Sequence, residues 1–143
     1  MTISIRPADF NKDFDSLKTI RETVFVKEQS VPIELEWDEY DQEAYHLLAF
    51  NDNTAIATAR ILKNGKIGRM AVLSSWRHQG IGSSLLRHLI DKALELGLKQ
   101  VCLSAQVSAI PFYERLGFVI ISEPYEDAGI PHQDMELRLT TSK

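Results

Sequence analysis

The sequence predicts an α/β (α+β) fold, one mixed sheet with helices packed on its faces. Three observations carry this expectation. Short alternating or apolar runs recur along the chain, and the segments between them carry apolar residues at helical spacing. Asn64-Gly65 lies between two strand-like runs and is a strong hairpin signal. A glycine-bearing loop, Gln79-Gly80-Ile81-Gly82-Ser83, opens the longest helical stripe. The 143 residues are of a size for one ordinary domain, expected to span 1–143.

"TISIRPA" alternates and reads as a first strand. From Asn11 to about Gln29, Phe14, Leu17, Ile20, Val24 and Phe25 form a helical stripe. "VPIELEWDEYDQEA" is acidic and irregular. "YHLLAF" and "TAIATARIL" are strands joined at "NDN". Asn64 and Gly65 both tolerate the positive φ of a type I′ turn, which leads into the strand "KIGRMAVL". Gly68 inside that strand signals a bulge or a close backbone approach.

The clearest helix runs from about Gly80 to Leu96. Ile81, Leu85, Leu86, Leu89, Ile90, Ala93, Leu94 and Leu96 face inward, with Ser84, Arg87, His88, Asp91 and Glu95 on the wet side. Gly97 ends it as a C-terminal capping glycine. "KQVCLSA" is a strand. "SAIPFYERLG" is a short helix with Ser108 as its cap and Pro111 tolerated in its first turn. "FVIIS" and "DMELRLT" read as a closing antiparallel pair. The order is β-α-β-β-β-α-β-α-β-β.

Composition narrows the function. Hydrophobic residues make up 44% and charged residues 25%, as in a globular protein, and the net charge of -4 argues against a nucleic-acid or anionic-membrane binder. The single cysteine, Cys102, precludes a disulfide framework within the chain and reads as a small buried hydrophobe. No run approaches membrane-spanning length and no signal peptide is evident, so the cytoplasm is the expected compartment. The histidines and carboxylates show no metal-ligand spacing, and no metal is expected.

The loop before the long helix is where chemistry concentrates. A helix start leaves N–H groups unpaired and carries partial positive charge. Gly80 and Gly82 remove side chains that would fend off a bulky anion, and Arg77 adds a full charge beside them. The arrangement suits a phosphate or pyrophosphate. A P-loop would need Gly-Lys-Ser/Thr, and a dinucleotide fingerprint would need a third glycine where Leu85 stands.

Arg77-His78-Gln79-Gly80-Ile81-Gly82 is R-x-x-G-x-G. It closely resembles the acetyl-CoA loop of the GNAT N-acetyltransferase superfamily. "SAIPFYERLGF", Ser108 to Phe118, resembles the second signature of that family. "FVKEQSVP", "LEWDEYD", "HLLAF" and "AGIPHQDM" resemble its ElaA-type branch. The resemblance implies a mostly antiparallel central sheet with helices on both faces and one splayed parallel strand pair. It implies that Gln79, Gly80, Ile81, Gly82 and Ser83 cradle the CoA pyrophosphate through backbone N–H groups, with Arg77 and His78 alongside. It implies that the strand at Met70, Ala71 and Val72 offers backbone hydrogen bonds to the pantetheine arm. Gln106 stands where many members carry Asn.

Tyr113 is the expected general acid, a phenol placed to protonate the departing thiolate, while Phe112 points elsewhere to pack. The attacking amine must be neutral, so a base is expected. Glu28 and Asp38, flanked by Val26, Val31 and Trp37, are the candidates within an acidic segment that would draw a cationic amine. Glu39 and Glu43 read as a solvated face. Trp37 and His132 are the expected acceptor contacts, with Trp37 read equally as a packing residue and His132 equally as a turn anchor. His46 reads as structural and His88 as exposed.

The expected activity is acetyl transfer from acetyl-CoA to a primary amine, of a small molecule or a protein, by direct attack in a ternary complex. The alternative is a non-catalytic CoA-binding or regulatory module of the same fold. No nucleic acid or membrane partner is expected, and a homo-oligomer is compatible with the sequence.

Overall fold

The structure, a computed structural model, describes residues 3–31 and 38–139. Strands β1 (Ile3–Ala8), β2 (Tyr45–Asn51), β3 (Thr54–Ile61) and β4 (Lys66–Val72) form an antiparallel meander. Between β1 and β2, helix α1 (Phe14–Arg21) runs on as a wider π-helical segment, Glu22–Glu28. Helix α2 (Ile81–Glu95) crosses from β4 to the parallel strand β5 (Gln100–Gln106). Helix α3 (Ile110–Arg115), β6 (Val119–Ile120), β7 (Tyr125–Asp127) and β8 (Ile130–Arg138) complete the described chain. The sheet order is β1-β2-β3-β4-β5-β8-β6, with β7 also on β8, and β4–β5 is the one parallel pair among the described residues.

Each helix buries one stripe. Leu17, Ile20 and Val24 pack with Leu48 and Ala71 on one face of the sheet. Ile81, Leu85, Leu86, Leu89 and Ala93 pack with Ile56, Leu103, Phe118 and Met135 on the other. Burial of such side chains contributes about 1.5–3 kcal/mol each. Gly97, at φ 77°, ends α2, and the Leu98 N–H reaches back to the Ala93 carbonyl at 3.0 Å.

Several sequence expectations need correction. The first helix is not uniform: its second half widens into the π-helical segment, and the Gln29 N–H donates to the Val24 carbonyl. Leu96 is 51% exposed, because the helix has already turned it off the buried stripe. Ser108 makes no capping bond; it lies in a 3-10 turn and Ala109 precedes the helix. The Asn64-Gly65 turn is not type I′, since Gly65 has φ 93° while Asn64 keeps a negative φ. Instead the Asn64 carboxamide oxygen accepts from the Lys66 N–H, a local bond that stabilises the tighter turn. Cys102 is only partly buried. An additional hairpin, β7–β8, turns at Ala128-Gly129, both at positive φ.

A buried ionic network joins the two halves of the meander. Arg21 of α1 donates to both oxygens of Asp41, at 3.0 and 3.2 Å. Arg60 of β3 donates to Asp41 and to both oxygens of Asp38, each at 2.7 Å. Arg69 of β4 donates to Asp38 at 3.1 Å. His46 Nε2 lies 2.8 Å from the Asp41 carbonyl, and burial lowers the pKa of its ring.

Burial alone would raise Asp41, but the Arg21 and Arg60 guanidiniums outweigh it and hold its carboxyl below the usual range. The Arg60 hydrogen bonds bring Asp38 down to about 2. Both folded values lie below the unfolded ones, so their contribution is complete above the unfolded pKa and is lost as pH falls toward 2. Asp41→Asn leaves buried guanidiniums short of a partner and should cost about 3–5 kcal/mol. Urea denaturation at pH 7 should show that loss, and the drop in parental stability on acidification should be shallower in the variant.

Candidate active site

Strands β4 and β5 pair only at Lys66–Cys102 and Ile67–Leu103, then diverge. The cause lies on the other edge of β4. There the step from Gly68 to Ala71 faces the shorter step from Arg60 to Thr58, so β4 carries an extra residue. Arg69 adopts φ 48° at this bulge, and its Asp38 bond helps hold it there. Among the described residues, Met70, Ala71 and Val72 therefore have no strand partner on the β5 side.

A cavity of about 760 Å³ lies beside this divergence. Phe25 and Gln29 reach it from the π-helical segment and the residue beyond, a placement that the wider helical turn allows. Arg60, Arg69 and Asp38 line one wall, and Ser104, Gln106 and His132 another. Tyr113 enters from α3. Its ring meets Phe118 edge-on, with centroids 5.8 Å apart, and burial pushes its phenol up to about 12. Phe112 turns away toward the helix start of α2, where a β-carbon on Gly82 would meet its Cζ at 3.6 Å.

The glycine loop lies at the other end of β4. His78 and Gly80 take φ 64° and 82°, and the Ser84 N–H is the first to find its carbonyl, that of Gly80, at 3.0 Å. The preceding N–H groups of Ile81, Gly82 and Ser83 thus open outward, with no side chain capping them. Gly82 is required neither by a positive φ nor by its own surroundings, since a β-carbon there makes an ordinary contact. The uncapped N–H groups at this glycine-bearing helix start fit a bulky anion such as a pyrophosphate.

The expected site residues divide. Tyr113, Gln106, His132, Met70 and Asp38 come together around the cavity, while Gln79 to Ser83 form the separate helix-start cradle. Gln106 donates its amide to Gln29 Oε1 at 2.9 Å, across the cavity mouth. Arg77 turns inward: its Nε donates to the Val72 carbonyl at 2.9 Å and its Nη2 to both Glu28 oxygens, at 3.0 and 2.9 Å. Glu28 is not among the residues lining the cavity. Asp38 does line it, with Arg60 and Arg69 paired to its carboxyl and holding it down at about 2, a poor setting for the base role expected of it. Trp37 lies outside the described residues.

Sequence reading missed Arg60, Arg69, Ser104 and Tyr125. Lone arginines inside the apolar runs "TARIL" and "KIGRMAVL" were the available signal, since a buried charge requires a partner.

Residues 11–139 match the family model described as an acetyltransferase (GNAT) domain. The chain is 39% identical over 120 residues to the uncharacterized N-acetyltransferase YjcF of Bacillus subtilis, covering 81% of this chain and 86% of that protein. The crystal structure of Escherichia coli ElaA aligns with a TM-score of 0.84 at 28% identity, covering 94% of this chain and 99% of that one. An acyl-CoA N-acyltransferase from Pseudomonas aeruginosa aligns with a TM-score of 0.84 at 32% identity and the same coverage. With its bulged β4, its splayed parallel pair and its glycine-opened helix, the chain belongs to the GNAT acetyltransferase family, in an ElaA-like branch, and is an acyltransferase enzyme.

Proposed function

We propose that the protein transfers an acetyl group from acetyl-CoA to a primary amine by direct attack within a ternary complex. The observation that carries this reading is the unpaired β5-side edge of β4, which runs between an anion-ready helix start and the Tyr113 cavity. Acetyl-CoA supplies the activated acyl group.

Gln79, Gly80, Ile81, Gly82 and Ser83 would hold its pyrophosphate through their N–H groups, with His78 alongside. Met70 to Val72 would serve the amide-bearing arm with the backbone groups that remain once the Val72 carbonyl has accepted from Arg77. Arg77 and Glu28 brace the loop against the π-helical segment. Tyr113 keeps its proton at neutral pH and would give it to the departing sulfur. Cys102, a thiol raised by burial and not among the residues lining the cavity, is poorly suited to carry the acyl group, which favours direct transfer.

A panel of primary amines with acetyl-CoA, followed by thiol release, tests the reading directly; release with no amine would defeat it. Gly82→Asp sets bulk and negative charge before the helix start. Calorimetry should show acetyl-CoA binding lost while the melting temperature stays near that of the parent. Tyr113→Phe removes one oxygen. Turnover should fall about 10²–10⁴-fold in single-turnover and steady-state assays, with acetyl-CoA affinity unchanged.

A further inference from the structure

An amine acceptor arrives protonated near pH 7, so some group must relieve it of a proton. The carboxylates expected to do so are engaged elsewhere: Glu28 by Arg77, and Asp38 by Arg60 and Arg69. Among the described residues, the cavity that holds Tyr113 also holds one imidazole, that of His132 on β8.

Two contacts define this imidazole. Its Nδ1 lies 2.7 Å from the Ile130 carbonyl oxygen. A carbonyl can only accept, so Nδ1 carries the hydrogen and Nε2 of the neutral ring keeps its lone pair. The ring stacks on Tyr125, with centroids 6.1 Å apart and planes 22° from parallel. Tyr125 is itself pinned: its hydroxyl donates to Asp134 at 2.5 Å and accepts from the Ser104 hydroxyl. Tautomer and ring plane are thus both fixed. His132 is 9% exposed and stands directly opposite Gln106 in the β5–β8 register.

We propose that His132 Nε2 is the base that deprotonates the acceptor amine, an assignment that rests on the N-acetyltransferase reading above. One proton of the ammonium passes to Nε2, giving an imidazolium and a neutral amine. The freed lone pair forms the C–N bond as the C–S bond breaks. Tyr113 gives its phenolic proton to the sulfur, and the second nitrogen proton restores the phenol. The imidazolium then releases its proton to water, so the net reaction frees one thiol and one proton.

The charged groups around His132 are Asp134 on its own strand face, Asp127 on β7, and Arg60, Arg69 and Asp38, which line the same cavity. Lys66 and the exposed Lys63–Glu43 pair lie at the rim, while Gln29, Gln106 and the Tyr113 phenol are neutral.

Two measurements test the assignment. Long-range proton–nitrogen NMR of the labelled protein at pH 8 should show the His132 ring with a proton on Nδ1 and none on Nε2, the signal being identified by its absence in His132→Gln. The opposite tautomer overturns the proposal, whether or not any variant is active. In kinetics, the probe is the primary amine that the parent acetylates fastest. His132→Gln should lower kcat/KM about 10²–10⁴-fold while leaving acetyl-CoA affinity unchanged.

The acid limb of the parental profile should give way in the variant to a rate that climbs toward the amine's own pKa of about 10. If His132→Gln does not fold, His132→Asn carries the same comparison. Thiol release by parent and variant with the same acid limb would overturn the role of His132 alone. Release by the parent with no amine would overturn the functional reading and this role with it.

Discussion

The divergence of β4 from β5 is the constraint on which the rest of the structure depends. Two parallel strands that kept pairing along their length would satisfy each other's backbone groups and leave no slot. Here pairing ends after Ile67 because the bulge opposite Thr58–Arg60 bends β4 away. The bend exposes a row of backbone donors and acceptors and opens a cavity beside them. It requires Arg69 to take a left-handed backbone conformation, which costs on the order of 1–3 kcal/mol for a non-glycine residue.

The ionic network next to the bulge supplies part of the compensation. Arg69 meets Asp38, Asp38 meets Arg60, Arg60 meets Asp41 and Asp41 meets Arg21, so one chain of hydrogen bonds runs from β4 through β3 to α1. Its inner members are nearly buried, with Arg21 and Asp41 at 1% and 2% side-chain exposure. Such a network adds little net stability compared with apolar packing, but removing a single member is costly. Its effect is to fix the relative placement of three elements around the cavity. That placement lowers the basicity of Asp38.

Phe112 and Tyr113 connect the two ends of the site. Adjacent on α3, they point apart: one ring supports the α2 start under Gly82, the other enters the cavity. The Arg77–Glu28 pair repeats this coupling from the opposite side, tying the loop to the π-helical segment.

Much of this was legible in the sequence because it depends on local chemistry. Hydrophobic periodicity gave α2 its buried face, Gly97 its end, and Gly68 the position of the bulge. Gly80 and Gly82 identified the anion-ready helix start, since the absence of a side chain is itself the signal. The roles of charged residues were not legible. Sequence reading singled out Glu28 and Asp38, but the buried carboxylate of the segment is Asp41 and Glu28 is exposed; which cation each meets depends on pairings 22 to 49 residues apart. The β7–β8 hairpin was missed because its short strand is polar on both faces, and so Tyr125 and the fixing of His132 went unseen. The sequence by itself determined most of the elements, the family and the candidate residues for binding and proton transfer. Only the tertiary structure decided which of them remain free to do so, because a side chain's basicity is set by the charges and donors that folding brings against it.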